Sequence, residues 1–180
     1  MFRPGHYGVG LLLYAPVGGW LLAAGHLTAA LAGGAGLLWL TMLPDWDSHL
    51  PFVTHRGPTH TLPFVALVAG AAWAGVTAAG VGHYRVGPVE LRWFAAAIAA
   101  LSLVAHLTAD VLTPMGVALL WPLSSRRYSL SVTTADSAFA NYLLFALGVF
   151  AAASAAYFGI ELFARGGATT LLPVELVLPM

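Results

Sequence analysis

Residues 27–81 read LTAALAGGAGLLWLTMLPDWDSHLPFVTHRGPTHTLPFVALVAGAAWAGVTAAGV. Two apolar runs flank a polar island, DWDSHLPFVTHRGPTH, whose sixteen residues (45–60) hold two aspartates, three histidines and an arginine. A membrane-spanning helix needs about 20 mostly apolar residues. Residues 27–43 supply one such run before the island and 62–81 another after it. The island is therefore expected at one membrane face, between two spans, and the fold follows from that reading.

Further apolar runs lie outward from this point, at 7–24, 91–112 and 138–163. The chain reads as all-α: a polytopic membrane helix bundle of about five transmembrane helices. The stretch TPMGVALLWPL (113–123) is apolar but too short to span, and is expected as a re-entrant or interfacial segment. A signal peptide would resemble the first run, but a second run follows almost at once, so a retained helix is expected. The apolar tail 166–180 ends in LLPVELVLPM, broken by two prolines, and is expected on the membrane surface. No repeat or composition shift divides the chain, so 1–180 reads as a single membrane-embedded domain.

Composition agrees. Of 180 residues, 59% are hydrophobic and 8% charged, with a mean hydropathy of +0.84; soluble domains carry about 25% charged residues. There is no lysine, and seven arginines balance seven acidic residues. That leaves no basic excess for a nucleic-acid partner and no polybasic patch for a lipid surface. With no cysteine, disulfide and thiolate chemistry are excluded.

Threading five spans sorts the polar residues. With the N-terminus on side A, that side receives His6, the island, and residues 113–137. His106 and Asp110, in the last turns of the fourth span, join them. His26, His83, Arg85 and Glu90 are left on side B. Ligand-type chemistry thus collects at one face. Four arginines near side A against three near side B are too even to orient the chain by the positive-inside rule.

His106 and Asp110 share one helix face at i, i+4. An ionisable pair at membrane depth is a functional candidate, and it is also how a structural His–Asp bond would look. Asp45 and Asp47 (PDWD) offer two carboxylates, or simply a helix stop. In His55-Arg56-Gly57-Pro58-Thr59-His60, Gly57-Pro58 forces a bend that brings the two histidines together, and Thr59 or Thr61 can cap the next helix. Imidazole is a common metal ligand, and the Arg56 fork suits phosphate or carboxylate. Arg126 and Arg127 are either interfacial anchors beside Trp121 and Tyr128 or a second anion clamp. His49, beside Leu50 and Pro51, reads as a plain loop residue. No nucleophile elbow, P-loop, dinucleotide fingerprint or HExxH helix is present.

Taken together, His6, PDWD, HRGPTHT and HLTADVLTPMGVALLWPLSS resemble the YdjM-like membrane-bound metal-dependent hydrolases. That family shows a His near the N-terminus, a PDxD motif, an HRGxxH motif followed by Ser or Thr, and an HxxxDxxTPxG motif followed by a WP(F/L)S stretch. The resemblance implies an integral protein of the cell (inner or plasma) membrane. It also implies a divalent metal site, with Zn, Mn or Fe fitting the mixed N/O ligands, held by His6, Asp45, Asp47, His60, His106 and Asp110. The site segments are then 1–8, 44–61 and 106–128. The expected reaction is hydrolysis of a phosphoester or other amphiphile drawn from membrane lipid. Asp45 or Asp47 would take a proton. His55 would serve as ligand, orienting group or general acid, and Arg56 with Arg126 or Arg127 would neutralise the substrate. The alternative is a non-enzymatic metal-binding or transport protein.

Overall fold

The computed structural model describes residues 1–49 and 56–170, apart from the side chains of His49 and of 167–170. Among the described residues five α-helices form: α1 (Arg3–Ala23), α2 (Leu27–Thr41), α3 (Leu62–Ala78), α4 (Leu91–Val111) and α5 (Ala138–Thr170). Short 3-10 turns form at Pro44–His49 and Pro58–His60 in the island. By length and composition, Leu27–Ser48, Leu91–Val111 and Ala138–Gly166 can each cross a bilayer, and α3 is a shorter apolar helix. The expected all-α membrane bundle is what the chain forms.

The elements differ from expectation in several places, with α2 and α3 stopping early, at Thr41 and Ala78. The first helix begins at Arg3, not Tyr7, because Pro4 fits a first turn that needs no N–H donor. The last runs to Thr170, past Phe163. The loop 82–90 holds a small hairpin, β1 (Arg85–Val86) with β2 (Val89–Glu90), turning at Gly87 (φ +59) and Pro88. The tail 171–180 lies outside the described residues.

α4 is the hub. Leu103 and Leu107 pack on Val65 of α3, Ile98 on Tyr14 and Leu37, and Ala105 and Ala109 on Val9 of α1. Its hydroxyls are satisfied within the helix: Ser102 Oγ donates to the Ile98 carbonyl at 2.6 Å, as a low-dielectric interior requires.

α5 docks on α1 through small residues. A Cβ at Gly8 would collide with the Leu144–Phe145 backbone, and one at Gly148 with the Gly8 backbone. Gly19 meets Ala155, Gly25 meets Phe163, and Gly5 meets Asn141. The near-constant offset between partners shows that the two helices run parallel, so α1 keeps pace with α5 along its length. In lipid, association rests on such close approach rather than on hydrophobic burial.

The termini sort as the threading requires. His26, Trp20 and Gly87 meet at one end; His6, His60, His106 and Asp110 meet at the other. Trp39, Trp46 and Trp121 lie toward this second end and Trp20, Trp73 and Trp93 toward the first, an arrangement suited to two membrane–water interfaces.

Candidate metal centre

Four segments deliver the site. α1 contributes His6 from its first turn, where the residue is inside the helix and buried, not ahead of it. Pro44 ends the α2 span, and the 3-10 turn it begins carries Asp45 and Asp47. Pro58–His60 sets His60 directly before Thr61, whose Oγ1 accepts the Phe64 N–H at 3.2 Å and so caps α3. α4 presents His106 and Asp110 on its buried face.

The three imidazoles converge. His6 and His106 stack with centroids 4.1 Å apart, and His60 meets His106 edge-on at 5.0 Å. Each ring turns Nδ1 away from the centre. His106 Nδ1 lies 2.7 Å from the Thr41 carbonyl and His6 Nδ1 3.2 Å from the Phe2 carbonyl. His60 Nδ1 is 3.0 Å from Thr59 Oγ1 and 3.3 Å from Asp47 Oδ2, while Thr59 donates to that same carboxylate at 2.7 Å. These partners accept, which places the proton on Nδ1 and leaves Nε2 of each neutral ring as a lone pair.

The Nε2 atoms face inward. His60 Nε2 and His106 Nε2 are 3.1 Å apart. Asp45 Oδ1 is 3.3 Å from both, and Asp110 Oδ2 is 3.5 Å from both. His6 Nε2 lies 3.5 Å from Asp110 Oδ1. Two lone pairs at 3.1 Å repel unless a proton or a cation stands between them. His6 Nε2 and Asp110 Oδ2 are buried with no hydrogen-bond partner, a costly state for polar atoms in a low-dielectric interior.

These orphaned atoms belong to two overlapping groups of ligand atoms, either of which fits a metal. The ligand atoms of His6, Asp45 and His106 lie within 4.8 Å of one another, as do those of His60, His106 and Asp110. The chain therefore holds buried His and Asp groups positioned to bind a metal ion. The outward Nδ1 contacts are those that metal-bound histidines make to fix ring orientation.

The remaining expected residues separate. Asp47 stands behind His60, on the Nδ1 side. Arg56, at φ +59, reaches into the cluster: Nη2 is 2.5 Å from Asp110 Oδ1 and Nη1 donates to Thr113 Oγ1 at 3.1 Å. A non-glycine residue at positive φ is strained, and the buried ion pair holds it there. Arg127 donates to the Met115 and Gly116 carbonyls at 3.0 and 3.1 Å. Exposed Arg126 lies over the Tyr128 ring at 5.5 Å, as an interfacial anchor would. His55 lies outside the described residues, as does the side chain of His49. His26 and His83 are at the opposite end.

Two contributors were not foreseen. The Thr41 carbonyl orients His106 and leaves no side-chain signature in the sequence. Asn141 is fully buried: its Oδ1 accepts from Phe2 N at 2.9 Å and its Nδ2 donates to the Ala135 and Ser137 carbonyls. It ties the start of α5 to the first turn that carries His6. As the chain's single asparagine, at the head of an apolar helix, it was the available signal.

A helical membrane bundle with a buried histidine–carboxylate cluster at one face is thus the class this fold and site define. The family model of YdjM inner membrane proteins matches residues 1–175, and the chain belongs to that family. No curated protein and no solved structure matches it.

Proposed function

We propose that this inner-membrane protein is a metal-dependent hydrolase whose site opens at one membrane face and acts on a phosphoester or another amphiphilic substrate. One observation supports the reading: three imidazoles with Nδ1 engaged join Asp45 and Asp110 in two overlapping ligand groups, His6–Asp45–His106 and His60–His106–Asp110, that share His106. His6, His60, His106, Asp45 and Asp110 are the ligand set, and Zn, Mn or Fe suits its N/O character. A divalent ion held there would lower the pKa of a bound water to about 7 and polarise a scissile group.

The protein groups have distinct work. Asp47 and Thr59 fix the His60 ring. Arg56 holds Asp110 so that Oδ2 faces the histidines. Asp45 is a quarter exposed while its neighbours are buried, so it stands at the water-facing edge, placed to accept a proton from the attacking water. His55, outside the described residues, is assigned in this proposal to the part of ligand, orienting group or general acid.

Transport is the rival use of such a cluster. Transporter sites lie at the midplane of inverted repeats, whereas here the ligands gather at one end and no repeat is visible. The test is hydrolysis of bis(p-nitrophenyl) phosphate by detergent-purified protein with and without added Zn or Mn. Metal-dependent turnover lost in His60→Ala supports the proposal. Metal uptake into proteoliposomes with no hydrolysis would transfer it to transport.

A further inference from the structure

Beside the cluster lies a cavity of about 390 Å³ lined by Arg56, Gly57, Pro58, Ala118, Trp121, Ser125 and Arg127. Two guanidinium groups line it, and no carboxylate does among the described residues. The Arg56 charge is shared with Asp110. Arg127 is held by the Met115 and Gly116 carbonyls, which fix the side chain without cancelling its charge.

The segment carrying Arg127 is well supported. Gly116 (φ +56) packs so closely on the Tyr128 backbone that a Cβ would collide with it. Val117 and Tyr128 exchange backbone bonds at 3.1 and 2.9 Å. A planar donor fork held in advance on a firm loop suits phosphate.

The surroundings indicate where that phosphate comes from. Leu120, Trp121 and Leu123 are exposed next to the pocket, Leu123 by 91%. Apolar residues and a tryptophan around a cationic pocket suit the head-group layer of a bilayer.

We propose that this cavity binds the phosphate head group of a membrane amphiphile, with Arg127 as its specificity-determining residue. The proposal names the substrate class of the hydrolase reading and rests on it for the fate of the bound group. Arg56, at the cavity wall and on Asp110, joins the pocket to the metal cluster.

Binding tests the proposal without turnover. The full chain, purified in detergent and used as isolated, is titrated with inorganic phosphate. In parallel it is analysed by native mass spectrometry with phosphatidic acid or diacylglycerol of the same chains. Retention of phosphatidic acid over diacylglycerol is expected, weakened about ten-fold or more in Arg127→Gln, the loss of one charge-assisted contact. Ser125→Asp, a carboxylate placed on the exposed lip, should weaken it similarly and guards against misfolding of the first variant. Unchanged retention in both variants overturns the proposal. Phosphate binding that depends on Arg127 without lipid preference overturns the amphiphile as the source. Lipid retention with no metal-dependent hydrolysis sinks the hydrolase reading and leaves the pocket standing.

Discussion

His60 Nε2 and His106 Nε2 face each other at 3.1 Å, from residues forty-six apart in sequence, while both rings turn Nδ1 to fixed acceptors. Two such nitrogens are a source of repulsion in an empty protein and a pair of ligands in a metal-loaded one. If the cluster holds a metal as proposed, its binding and folding should be coupled. Chelation of the purified protein should lower its thermal midpoint, and returning Zn or Mn should restore it. A midpoint indifferent to chelator would mean that protons alone hold the cluster.

Asp47 should act through His60 rather than on the ion. Asp47→Asn keeps the shape but weakens the acceptor at Nδ1 and at Thr59. Outer partners of this kind are worth about 10–100-fold in metal affinity. Competition with a chromogenic chelator measures it; a total loss of binding, as for a direct ligand, would contradict this placement.

Arg56 and Asp110 form a buried ion pair at 2.5 Å. Arg56→Met leaves the carboxylate without its guanidinium, a loss of about 3–5 kcal/mol. Added divalent metal should recover part of this, because the ion supplies positive charge beside the same carboxylate. Differential scanning fluorimetry with and without metal reads both effects.

Gly8 and Gly148 set the contact between α1 and α5. Gly148→Leu should separate the helices and destabilise the bundle by about 3 kcal/mol or more, lowering the thermal midpoint by several degrees. Gly70→Leu, at a glycine with nothing within 4 Å of an added Cβ, is the control and should change little.

The bundle was legible because apolar length is a strong signal: 27–43, 91–112 and 138–163 each became a helix with small shifts at the ends. The gathering of His6, His60, His106 and Asp110 followed from counting spans, since alternate crossings bring the loops of one face together. Less visible were features set by packing. His6 was expected ahead of its helix because the apolar run starts at Tyr7, yet Pro4 permits an earlier start and burial draws the ring inside. The Arg85–Glu90 hairpin depends on two residue pairs, too few to show as alternation. The proposed split between Asp45 as ligand and Asp47 as support rests on which nitrogen of His60 each carboxylate meets, and PDWD spacing carries no such information.

The central claim is that the buried histidine–aspartate cluster holds a divalent ion. Elemental analysis of the detergent-purified chain, beside His60→Ala and Asp110→Ala variants prepared identically, tests it most directly. The account predicts roughly one or two equivalents of Zn, Mn or Fe per chain, falling sharply in both variants. No metal above background in the wild type, even after incubation with these ions, would contradict it.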